Sequence, residues 1–179
     1  QNIKEFEMNY FGSIFAMAVC LAMSAYFSAT ETAFSSLNKT RLKVLADNGN
    51  KRAALALKLA ENYDRLISTI LIGNNIVNIT IASICTLLFV ALYGDIGATI
   101  STVVVTVVVL IFGEISPKSI AKDCAETCAM LSAPVLQVLI WVFTPLNAVF
   151  SLWKKLLAKV FRLSSDNKMS QEELLMLVD

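Results

Sequence analysis

Hydrophobic and polar positions alternate along this chain in long blocks rather than at strand or helix period. From Tyr10 apolar residues run almost unbroken until the polar end Ser28-Ala29-Thr30-Glu31-Thr32. The run is apolar on all sides, as lipid requires, and predicts a membrane span over about 10–35. The pattern then changes. In Asn38-Lys39-Thr40-Arg41-Leu42-Lys43 and again after Asn50-Lys51-Arg52, leucines 42, 45, 55 and 59 recur at helical spacing among charges. That spacing predicts two amphipathic helices at the membrane surface, joined by an Asn48-Gly49 turn. Apolar sequence returns for a second span over about 66–92, interrupted by Gly73-Asn74-Asn75-Ile76-Val77-Asn78. A short link without Lys or Arg, Tyr93 to Gly97, leads to a third span over about 97–115. Its Val and Thr would favour a strand in water, but an isolated apolar segment in lipid must be helical.

This third run stops at Phe112-Gly113-Glu114-Ile115-Ser116-Pro117-Lys118. A last apolar stretch, Met130 to Trp153, has Lys118 and Lys122 before it and Lys154, Lys155, Lys159 and Arg162 after it. Both ends therefore favour the cytoplasmic side, which a single crossing cannot satisfy. With Pro134 and Pro145 interrupting it, the stretch reads as in-plane or re-entrant helices, a juxtamembrane belt over about 128–160. Residues 1–163 thus form one transmembrane domain. Ser164-Ser165-Asp166-Asn167 is a linker, and the capping box Ser170-Gln171-Glu172-Glu173 opens a helix of a cytoplasmic domain that follows.

Composition agrees. Of 179 residues 56% are hydrophobic, and mean hydropathy is +0.66, well above ordinary globular chains. The fold class is all-α integral membrane. The chain begins Gln1-Asn2 without an initiator Met, which reads as a cut or processed end, and no signal-peptide pattern is present. Five basic residues between 39 and 52 place that segment in the cytoplasm, so the N-terminus is outside and the C-terminus cytoplasmic, in the cell membrane. A net charge of +1 gives no basic surface for nucleic acid. With no His, Cys/His zinc sites and Ser-His-Asp or Cys-His catalysis are excluded, and no enzyme is indicated. Cys124 and Cys128 read as one face of a helix rather than a thiolate site.

The polar groups that a membrane should not tolerate carry the chemistry. Ser24 and Ser28 lie at i, i+4 on the first span, with Glu31 near the same stripe. Asn74 and Asn78 share a face of the second, while Asn75 points about a quarter-turn aside. Pro117 has no N–H to offer the Gly113 carbonyl four residues back, so that oxygen is freed beside the Glu114 carboxylate at the end of a broken helix. Hydroxyl, amide, carbonyl and carboxylate oxygens are hard ligands that suit Mg²⁺, Ca²⁺ or Na⁺. Plainer readings stand beside this one. Serines can bond their own helix and asparagines can join helices. Glu114 can pair with Lys118 or Lys122, and Glu31 with Lys39.

Ser28-Ala29-Thr30-Glu31-Thr32-Ala33, Gly73-Asn74-Asn75-x-x-Asn78 and Gly113-Glu114-Ile115-x-Pro117-Lys118 together resemble the transmembrane module (DUF21) of the CorC/CNNM (cyclin M) magnesium transporters, over roughly residues 8–179. The resemblance implies a homodimer with three spans and a belt, then an acidic helical bundle and paired CBS domains that bind ATP. It also implies Mg²⁺ efflux coupled to Na⁺ entry. Carried onto this chain, Ser28, Asn74, Asn78, Glu114 and the Gly113 carbonyl line the ion site, with Ser24, Glu31, Asn75 and Pro117 as support or a second ion. Mg²⁺ rather than Ca²⁺ rests on the resemblance. The alternative is a membrane-embedded Mg²⁺ sensor or scaffold that regulates other transporters and carries no ions.

Overall fold

The computed structural model describes residues 2–146 and 152–153, with side chains from Tyr10 onward. Among the described residues every regular element is helical: α1 (Asn2–Ser35), α2 (Lys39–Asp47), α3 (Lys51–Glu61), α4 (Tyr63–Tyr93), a 3₁₀ turn (Gly94–Ile96), α5 (Gly97–Val108), a π-helical segment (Val109–Ile115), α6 (Ser116–Asp123) and α7 (Ala125–Val142). Three stretches are long and apolar enough to cross a membrane, namely Tyr10–Ser35, Tyr63–Asp123 and Ala125–Val142. The second is folded back on itself. Gly94, at φ +65°, takes a backbone conformation that disfavours side chains, and the chain reverses there. α5 then returns along α4, with the Thr86 and Ser101 hydroxyls 3.2 Å apart across the hairpin.

The short helices form where the caps allow. The Asn38 side chain accepts the Arg41 N–H and opens α2; that of Asn50 accepts the N–H groups of Arg52 and Ala53 and opens α3. Both bury their apolar stripe, with Leu42, Ala53, Ala56 and Ala60 at most 1% exposed. They join one core with Phe27, Ala33 and Phe34 of α1, Leu66 and Ile70 of α4, and Ala129, Ala133 and Leu136 of α7. α7 packs its small-residue stripe against α1 and α3.

Two expectations need correction. Pro134 does not interrupt α7, which is continuous from Ala125 to Val142. Packing of the Ala129, Ser132 and Ala133 face outweighs one lost backbone bond, and Tyr26 donates a hydrogen bond to the Ser132 carbonyl beside it (3.2 Å). The third span is not broken at Pro117 either. It widens into the π segment and continues as α6, with Pro117 in the first turn, where a missing N–H is tolerated. Helical structure breaks instead at Cys124, yet the Cys124 carbonyl accepts the Cys128 N–H at 2.9 Å and the two sulfurs lie 3.1 Å apart, so the pair shares one face as the spacing implies.

Contacts divide the chain into two units, 1–142 and 143–179. In the second, residues 144–146 and 152–153 are helical. The rest of the expected belt, the linker and the Ser170 helix lie outside the described residues.

Candidate ion-binding site

α1, α4 and the π segment meet around Ser24. The approach of α1 to α4 depends on Gly73, whose bare backbone receives the Phe27 ring. A Cβ there would stand 2.7 and 3.0 Å from Phe27 Cε1 and Cε2, and closer still to Cζ. Directly after it, Asn74 and then Asn78 face α1 at i, i+4. The Ser24 hydroxyl, fully buried, donates to Asn78 Oδ1 at 2.7 Å and lies 3.3 Å from Asn74 Oδ1. On its other side lies Gly113, where a Cβ would come within 2.9 Å of Ser24 Oγ. Two amide oxygens thus converge on one hydroxyl, against the backbone of a π-helical turn.

Ser28 lies one turn along α1 from Ser24. It is also fully buried, and its Oγ has no hydrogen-bond partner. Such a group costs about 1–3 kcal/mol when left unpaired. Glu114, half-buried, follows Gly113, and no Lys or Arg among the described residues lies within ion-pair distance of it. Lys118 pairs instead with Glu31, Nζ to Oε2 3.2 Å. The suggested Glu114–Lys118 and Glu31–Lys39 pairs are therefore not formed. α6 packs against α1 and brings Lys118 to Glu31. Asn75 turns outward; it is exposed and donates to the Leu71 carbonyl of its own helix (2.9 Å). Pro117 stands in the first turn of α6, just past the π segment.

Among the described residues there is no cluster of three or more His, Cys, Asp or Glu. The donors here are two hydroxyls, two amide oxygens, one carboxylate and the backbone near Gly113, a set for a hard cation held partly through water. Ser24, a supporting residue by motif, sits at the geometric centre. Its signal was present in sequence, since it shares the Ser28 stripe.

Residues 15–179, which carry all three motifs, match the family model described as the cyclin M transmembrane N-terminal domain. The chain belongs to the cyclin M transmembrane family. Among its relatives are a UPF0053 protein of Haemophilus influenzae, 42% identical over 88% of this chain and 38% of the relative, and the UPF0053 inner membrane protein YfjD of Escherichia coli, 38% identical over 85% and 36%. A more distant relative, 27% identical over 96% of this chain and 43% of its own length, is named polyamine export protein, also from Haemophilus influenzae. The cyclin M chain described here spans well under half the length of these relatives. Membership in a transmembrane family makes this a multispan membrane protein and agrees with the helices long enough to cross.

Proposed function

We propose that this cyclin M domain carries Mg²⁺ across the cell membrane, as an exporter coupled to Na⁺ entry, with Ser24, Ser28, Asn74, Asn78, Glu114 and the Gly113 carbonyl handling the ion. The observation that carries the reading is Ser28 Oγ, fully buried and without a partner one turn from the convergence on Ser24. A cation arriving there with part of its water shell satisfies the orphan hydroxyl. One carboxylate, Glu114, supplies the only formal charge, so the ion is held weakly enough to leave, as transport requires. In this reading α1, α4 and α5 are the spans, and α7 lies along the surface helix α3 as the belt. The six basic residues of α2 and α3 favour a cytoplasmic position for that side. A homodimer and ATP-binding CBS domains further along the chain complete the proposal.

The relative named polyamine export protein supports a second substrate class. A protonated polyamine would use the same carboxylate and carbonyl oxygens. The deciding experiment is flux in liposomes containing only this purified protein, with Mg²⁺ or spermidine loaded inside. Mg²⁺ release that Asn78→Ala and Glu114→Ala abolish supports the proposal. Spermidine release alone favours the second class. Mg²⁺ binding without any flux would leave a sensor and contradict transport.

A further inference from the structure

On α1, Ser24, Ser28 and Glu31 fall on one stripe at i, i+4 and i+7, running from the fully buried site toward the end of the helix that leads into α2. Ser28 has no exposed surface, whereas the Glu31 and Lys118 side chains are 29% and 42% exposed. The boundary between closed and wetted parts of the stripe therefore falls in the single turn between Ser28 and Glu31. At that boundary the Lys118 ammonium, from α6, lies 3.2 Å from the Glu31 carboxylate and ties α6 to α1.

We propose that the Glu31–Lys118 ion pair is a latch that closes the α2–α3 side of the Ser24–Ser28 site. Two features suit it to open as well as close. Both partners are partly wetted, and ion pairs of this kind hold only weakly, a factor of about five or less. Lys118 also lies just past the π segment Val109–Ile115, where the wider turn gives α6 a joint relative to α5. A cation approaching from that side meets Glu31 first and competes with Lys118 for it. Release of Lys118 frees α6 to swing from α1 and uncovers Ser28. A second ion pair on this side, Arg41–Glu126, is looser at 3.9 Å, with Arg41 73% exposed, and ties α2 to α7 rather than covering the stripe.

The latch rests on the ion-site reading for its purpose, but its test does not. In a background with Cys20, Cys85, Cys124 and Cys128 changed to Ala, Ser28→Cys reports access to the stripe. Sealed vesicles with the α2–α3 side outward are treated with a charged, membrane-impermeant methanethiosulfonate. Glu31→Gln and Lys118→Met should each raise the Ser28→Cys labelling rate by more than about twofold and up to about fivefold. The exchange Glu31→Lys with Lys118→Glu should return it to within about twofold of the unaltered pair. A second reporter, Ser101→Cys, buried on α5 against Thr86, should stay unlabelled throughout. Unchanged labelling in both single variants overturns the latch. So does an exchanged pair as open as the single variants, or a rise at Ser101→Cys too, which marks general loosening. If the labelling follows the latch while liposomes release no Mg²⁺, the transport proposal fails and the latch stands.

Discussion

Gly113→Ala offers the sharpest test of how the site is assembled. Its added Cβ would sit 2.9 Å from Ser24 Oγ and 3.4 Å from Ser24 Cβ and Val109 Cγ1. Relaxed contact needs roughly 0.5 Å more than the first of these distances. Ser24 can rotate about χ1 to yield, but that breaks its 2.7 Å bond to Asn78; otherwise α1 and the π segment must part. Overpacking of this kind costs about 1–3 kcal/mol. Ser24→Ala alone loses a hydrogen bond of the kind worth about 0.6 kcal/mol in membranes, plus part of the cost of the Asn78 amide left unpaired. With Oγ gone, the nearest remaining contact to a new Cβ is 3.4 Å, which the site tolerates. The double variant should therefore be at least about 1 kcal/mol less destabilised than the two single variants summed, outside the ~0.5 kcal/mol by which independent sites deviate. Reversible unfolding in mixed detergent micles of titrated sodium dodecyl sulfate measures all four corners of the cycle. Additive costs would refute the close approach of Gly113 to Ser24.

Gly73→Ala should cost at least as much as Gly113→Ala, because the group it strikes is the Phe27 ring, 2% exposed; Phe27→Ala in the same chain should recover part of the loss, and unfolding of the pair checks this. Leu42→Ala empties a fully buried position where α2 joins the core and should lower stability by about 2–5 kcal/mol in the same assay. Tyr26→Phe removes the hydrogen bond to the Ser132 carbonyl and should lower it by about 0.5–1.5 kcal/mol.

What was legible in the sequence follows from which forces act locally. Lipid imposes helix on long apolar runs, so the spans beginning near Tyr10, Leu66 and Gly97 could be read directly. Asn38 and Asn50 cap from within their own segments, so α2 and α3 could be read as well. Helical period separated Asn74 and Asn78 from Asn75, and the structure turns Asn75 away. The π segment was not legible. Pro117 dictates that one backbone bond is missing, but whether the helix breaks or widens is a matter of tertiary packing, here the close approach of Ser24 and Val109 to Gly113. Pro134 misled for a similar reason, since a proline's local cost says nothing of the face it is packed on. The partner of Glu31 was also out of reach. Lys39 is nearer in sequence, yet it opens α2 after α1 has ended at Ser35, whereas the α1–α6 contact that brings Lys118 is tertiary.

The central claim is that Ser24, Ser28, Asn74, Asn78, Gly113 and Glu114 form one site for Mg²⁺. Its most direct test is thermal unfolding of the purified protein under Mg²⁺ titration, for wild type, Asn78→Ala, Glu114→Ala and Asn75→Ala. A ligand that binds only the folded state stabilises it by about 2.7 kcal/mol at a hundred times its Kd. The account predicts a Mg²⁺-dependent rise for wild type and Asn75→Ala, and its loss in Asn78→Ala and Glu114→Ala. No rise in wild type, or the same rise in all four, would contradict it.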